Sequence, residues 1–154
     1  MNPHCQSSSS IKFPVGGLLK IKGVVKESEL HNPKQLDANG EECLIVVKNG
    51  MTTGVTIGCA TGIESFIRKY DDDGMKKTSM EIAVYSYDQI AFSAAGDSGS
   101  VVVDGQGSIV GLLTGSAGTT EAADVTYLTP YYWIEEQIKK AFPGSFLYPG
   151  PLVD

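Results

Sequence analysis

Apolar and polar positions in this chain alternate in short runs broken by glycine, asparagine and aspartate. "LLKIKGVV" (Leu18–Val25) reads as an entry strand, and "KESELHNP" as one helical turn with Ser28 as its cap and Asn32-Pro33 as its stop. "CLIVVK" (Cys43–Lys48) and "TTGVTIG" (Thr52–Gly58) flank Asn49-Gly50, the signal of a two-residue hairpin turn. "IESFIRKY" (Ile63–Tyr70) and "EIAVYSY" (Glu81–Tyr87) follow, separated by the polar loop Asp71–Ser79. "SVVVD" and "SIVGLLTG" are joined by Asp104-Gly105-Gln106-Gly107, and "DVTYLT" (Asp124–Thr129) comes last. Core strands at this short spacing predict an all-β domain, a six-stranded antiparallel barrel from about Cys43 to Thr129. The period then changes. Across "TPYYWIEEQIKKAFPG", Tyr131, Ile134, Ile138 and Phe142 share one face, which predicts a closing α-helix over about Pro130–Phe142 packed on the barrel. Thr129 is its expected cap, and Glu135/Lys139 and Glu136/Lys140 are expected i,i+4 pairs.

Composition narrows this picture. The 154 residues are of single-domain length, divided into a polar tail over 1–17, an entry strand and helical turn over 18–41, and the barrel with its helix over 42–154. The net charge is −6 and no basic cluster exceeds two residues, so no nucleic-acid partner is expected. There is no run of 18 apolar residues, hence no expected membrane span, and the N-terminus lacks the apolar core of a signal peptide. Asp71-Asp72-Asp73-Gly74 fails as a calcium loop because Lys69 and Met80 fall where carboxylates are needed. No metal and no cofactor are expected.

The cysteines number three, Cys5, Cys43 and Cys59, with no CxxC pair. With a two-residue turn at Asn49-Gly50, Cys43 faces Thr56 and Cys59 points to the other side of the hairpin. A bridge would need a bulge or another register, so all three are expected to be free thiols. A reduced, cytoplasmic protein is the default expectation.

"GDSGS" (Gly96–Ser100) carries the candidate chemistry. Small residues permit a sharp turn that projects the Ser98 hydroxyl and brings together the N–H groups of Gly96 and Ser98, where they could stabilise an oxyanion. Asp97 reads as an anchor for that turn. The motif sits within "FSAAGDSGSVVVDGQGSIVGLLTG", then "VTYLTP", then the helix, and "TTGVTIG" stands upstream. Together these resemble the C-terminal barrel of trypsin-like serine proteases of the chymotrypsin fold (PA clan), over about residues 42–142. The look is nearest to trypsin-like proteins of fungi. The resemblance implies that Ser98 is the nucleophile, that Gly96 and Ser98 donate to the oxyanion, and that Phe92 lies at the base of the primary specificity pocket. It implies too that Thr114, Gly115 and Ser116 pair with the backbone of a bound polypeptide.

The departures from that family matter as much. Phe92 is not acidic, so cleavage after Lys or Arg is not implied. No "IVGG"-type start supplies an ammonium for Asp97, which needs another partner. The base and acid of the triad belong to a first barrel, and the roughly 40 residues before Cys43 are about half of what six short strands with turns require. His4 lies in the Ser-rich tail. His31 and Asp37 precede Ser98 in the family's order, yet sit six residues apart on one loop, so both histidines read as surface residues. The chain is expected to carry the nucleophile half of a serine endopeptidase site and to be inactive alone. The alternative is a pseudoprotease module that binds a peptide or protein. The expected partner is a polypeptide substrate or ligand, with a first barrel from elsewhere or self-association to cover an exposed flank.

Overall fold

The computed structural model describes residues 20–37, 39–70, 73–74, 76–87, 90–117 and 125–147. The N-terminal tail with His4 and Cys5, Leu18-Leu19 and Asp71-Asp72 lie outside the described residues.

Six strands form a closed ring: β3 (Glu42–Gly50), β4 (Gly54–Tyr70), β5 (Lys76–Ser86), β6 (Val101–Asp104), β7 (Ser108–Ala117) and β8 (Val125–Pro130). All their pairings are antiparallel, in the order β7-β6-β3-β4-β5-β8, and β7 pairs again with β8 to close the circuit. The six-stranded expectation holds. Inward-facing side chains follow the period of two: Leu44 and Val46 on β3, Ala60 on β4, Ile82 and Val84 on β5, Val110 on β7 and Leu128 on β8 are buried in one cluster.

The chain before the ring is joined to it. β1 (Gly23–Val24) pairs in parallel with β7, and β2 (Gln35–Leu36) pairs with β3. The entry strand is thus two residues long among the described residues. Between them α1 (Glu27–His31) buries Leu30 in the main core. Its cap position is Lys26, without a side-chain bond, so Ser28 lies inside the helix rather than capping it.

α2 (Tyr131–Ala141) starts one residue later than expected, with Pro130 at the cap position and no side-chain cap. Thr129, the expected cap, instead donates its hydroxyl to Glu81 at 2.8 Å. Tyr131 packs outside the ring against Val47, Val103 and Ile109, and Tyr132 against the main core. The far end of the expected apolar face is uncovered: Phe142 is 68% exposed. Both expected i,i+4 pairs form, Lys139 to Glu135 at 2.6 Å and Lys140 to Glu136 at 2.9 Å. No described helix is long and apolar enough to cross a membrane.

Two corrections come from the first hairpin. Its turn is Met51-Thr52-Thr53 rather than Asn49-Gly50, since Asn49 pairs with Val55 and Gly50 with Gly54. Gly54 takes a φ of +65°, the left-handed residue that closes a three-residue hairpin loop. The strand expected to start at Ile63 is a continuation of β4 through a bulge between Ala60 and Glu64, where Gly62 takes a φ of +79°.

The new register overturns the free-thiol expectation. Lys48 pairs with Thr56 and Ile45 with Cys59, so Cys59 is diagonal to Cys43 on the same face, and the two form a disulfide with Cα atoms 5.7 Å apart. The reduced-thiol argument for a cytoplasmic setting loses its ground, because structural disulfides persist mainly in oxidising compartments. A cross-link with a sequence separation of 16 should contribute about 3 kcal/mol. We expect reduction, or the double substitution of Cys43→Ala and Cys59→Ala, to lower the unfolding free energy by that amount, read as a lower denaturant midpoint. A midpoint unmoved by reductant would show that the bridge contributes nothing.

Candidate active site

Residues 92–99, between β5 and β6, enter one end of the ring, where the interior becomes polar. Ser93 and Thr126 share a hydroxyl hydrogen bond of 2.6 Å, and Thr56 donates to the Phe92 carbonyl at 2.7 Å, both buried. The Phe92 ring is itself in the core, 1% exposed and packed where Gly58 leaves room on β4. It does not line the groove at Thr114–Ser116.

Asp97 holds the turn. Its side chain is fully buried, and the partner that the sequence left unnamed is Lys48, whose Nζ lies 3.2 Å from Oδ2 and is also fully buried. Asp97 Oδ1 accepts the Thr52 and Thr53 N–H groups at 2.7 and 3.3 Å. Oδ2 accepts the Thr53 hydroxyl at 2.6 Å and the Ala94 N–H at 3.1 Å. Burial alone would push this carboxyl up; the donors from Thr53, Thr52, Ala94 and Lys48 outweigh it and hold Asp97 well below the ordinary 3.8. Lys48 also donates to Thr53 Oγ1 at 2.5 Å and lies 5.6 Å from the centroid of the Phe92 ring. Thr52 adds a hydroxyl bond to the Ala95 carbonyl at 2.8 Å. The Thr52-Thr53-Gly54 stretch, read from sequence as the start of a strand, is therefore a clamp on the Gly96–Ser100 turn.

Lys48 was missed in the sequence, although a signal was there. Leu44, Val46 and Lys48 occupy the same inward phase of one strand, and a lysine in that phase must find a buried anion.

Ser98 is exposed, one residue beyond the anchored aspartate. Gly96 reaches a φ of +103°, which a side chain would strain, and Asp97 donates its own N–H to the Ala94 carbonyl at 3.0 Å. The N–H groups of Gly96 and Ser98 find no acceptor among the described residues, and no side chain among them hydrogen-bonds the Ser98 hydroxyl. The turn is pinned to β7 by Gly99 N–H to Leu113 O at 2.7 Å and Leu113 N–H to Ser100 O at 3.0 Å. From Thr114 to Ala117, β7 pairs with β8 on one side and with no strand on the other among the described residues. Thr114, Gly115 and Ser116 thus follow directly on Leu113, to which the Gly96–Ser100 turn is pinned.

The described histidine is engaged elsewhere. His31 Nε2 lies 2.8 Å from Glu64 Oε1, with the ring edge-on to Tyr132 at 6.3 Å. The ring is about a quarter exposed, at 27%, so the surface reading gives way to a partly buried hydrogen bond. Asp37 is turned to its own loop, accepting the Asn39 and Glu41 N–H groups at 2.8 Å each. Burial, then the charges of Glu64 and Glu27, raise Tyr132 from 10.0 to about 12. A pKa raised on folding means that Tyr132 stabilises fully below pH 10 and loses that contribution between pH 10 and 12. We expect Tyr132→Phe to remove this alkaline limb in a pH series of denaturation curves; an unchanged limb would assign it to other groups. Among the described residues no cluster of His, Cys, Asp and Glu could hold a metal ion.

No curated protein sequence matches this chain. The family model of the equine arteritis virus serine endopeptidase S32 matches residues 74–134. Among solved structures, Cellulomonas bogoriensis chymotrypsin superposes with a TM-score of 0.53 at 20% identity, over 83% of this chain and 55% of that one. A glutamic-acid-specific serine protease gives 0.52 at 21% identity, over 84% and 56%. Thermobifida fusca protease A gives 0.52 at 20% identity, over 80% and 54%. This chain spans little over half the length of these enzymes. Its fold is that of the chymotrypsin-like serine proteases.

Proposed function

We propose that the ring is the second, C-terminal barrel of a trypsin-like serine endopeptidase relative and carries the nucleophile half of its site. In this reading Ser98 is the nucleophile, Gly96 and Ser98 donate to the oxyanion, and Asp97 anchors the turn. Phe92 stands at the sequence position of the base of the primary pocket, with its ring turned into the core. The fungal likeness of "TTGVTIG" and "GDSGS" belongs to the same reading. The observation that carries it is the clamp of Lys48, Thr52 and Thr53 on Asp97, which fixes an exposed serine beside two unused N–H groups.

A serine hydroxyl needs a base within hydrogen-bond reach, and the proposal places that base and its orienting acid outside these 154 residues. The chain alone is then a polypeptide-binding half-site. The open edge at Thr114–Ala117 favours a second reading, a module that binds an extended peptide by strand addition without cleaving it. Fluorophosphonate labelling of the purified chain tests the first reading. No labelling is expected. Labelling that Ser98→Ala abolishes would place a base inside the chain, with His31→Ala the next variant.

A further inference from the structure

We propose that Glu81 makes the groove beside Thr114–Ser116 a subsite for one basic side chain, Lys or Arg, of an extended polypeptide. The proposal rests on the strand-addition geometry above and names what that geometry selects.

Glu81 is 5% exposed. Its Oε2 accepts the Thr129 hydroxyl at 2.8 Å and lies 3.3 Å from the Thr114 hydroxyl, whose one proton it shares with the Tyr127 carbonyl at 3.1 Å, and no Lys, Arg or His among the described residues forms an ion pair with it. The two buried aspartates differ. Asp97 has Lys48 and three backbone N–H groups, and Asp104 accepts the N–H groups of Gln106 and Ser108 at 2.9 and 2.7 Å. A buried carboxylate held by hydroxyls alone leaves most of its desolvation uncompensated, and a cation brought to it recovers that cost.

Glu81 lines a groove of about 250 Å³ together with Ile67, Ser79, Thr114, Gly115, Ser116 and Tyr127 among others. That volume is below the range typical of small-molecule pockets and suits a single side chain. Gly115 keeps the entrance clear, since a Cβ built there would meet nothing within 4 Å. A strand laid on the free side of β7 directs alternate side chains to one face, so one register places a side chain over the groove. The stem of Lys or Arg would lie along Ile67 and Tyr127 with its charged end at Glu81. The net charge of −6 favours approach of a basic segment.

The test is an NMR titration of the ¹⁵N-labelled 154-residue chain with blocked pentapeptides of alanine carrying one Lys, norleucine or Glu at each position in turn. At one position the Lys peptide should shift the amides of Thr114 to Ala117 and bind about tenfold more tightly than the norleucine peptide, with Glu the weakest. Glu81→Gln should reduce Lys to the norleucine level and leave norleucine unchanged. Gly115→Leu, which blocks the entrance without touching Glu81, should also erase the preference and decides the matter if Glu81→Gln does not fold. Equal binding of Lys and norleucine at every position, with the same amides shifting, would overturn the Glu81 assignment and leave strand addition standing. If no peptide moves those amides, strand addition fails and this proposal with it.

Discussion

Replacing Lys48 with Met is expected to lower the unfolding free energy by roughly 3–5 kcal/mol, because it strands the Asp97 charge in the interior. For a domain of this size that is a fall in Tm on the order of 10 °C. The substitution keeps the apolar stem and removes only the ammonium, so the loss reports the ion pair rather than a cavity. Pairing Lys48→Met with Asp97→Asn should recover part of it, since the second change removes the uncompensated charge while keeping a hydrogen-bonding oxygen. Lys139→Met, which breaks an exposed pair, should cost no more than about 0.5 kcal/mol. The acid dependence has a definite sign. Asp97 is depressed on folding, so its contribution is complete above its ordinary 3.8 and is lost only as pH falls below that value toward its folded pKa. Urea melts of the three variants and the parent at neutral and acid pH check this. A Lys48→Met chain as stable as its parent would show that Asp97 is satisfied without the lysine.

The second large effect is on reactivity. In a working triad, loss of the base costs many orders of magnitude in rate, and the oxyanion donors alone retain about 10³-fold over water. The isolated chain should therefore hydrolyse no peptide amide above background. Adding a polypeptide that supplies an oriented imidazole should raise fluorophosphonate labelling of Ser98 by at least about 10³-fold. Because the clamp positions the serine, Thr53→Val should diminish that labelling even with the partner present, through loss of the hydroxyl to Asp97. Measurable amidase activity of the isolated chain, abolished in Ser98→Ala, would contradict the half-site reading.

The alternation of small apolar runs determined by itself that this chain forms a ring of antiparallel strands, and the switch to a period near 3.6 after Thr129 placed the helix. Those signals are local: side-chain direction repeats every two residues in a strand and every three to four in a helix. The exposure of Ser98 beyond a glycine-rich turn was legible for the same reason. What tertiary structure decided were the partners. The pairing of Lys48 with Asp97 spans about a third of the chain, and neither residue names the other until β3 and the Gly96–Ser100 turn enter the same end of the ring. The Cys43–Cys59 bridge turned on the place and length of one hairpin loop, three residues at Met51–Thr53 instead of two at Asn49-Gly50, which reassigns every cross-strand neighbour at once. Glu81 was read only as the first residue of a strand. Its place under Thr114 and Thr129 exists because β5 pairs with β8, two strands distant in sequence, and only closure of the ring brings β5 beside the β7–β8 hairpin.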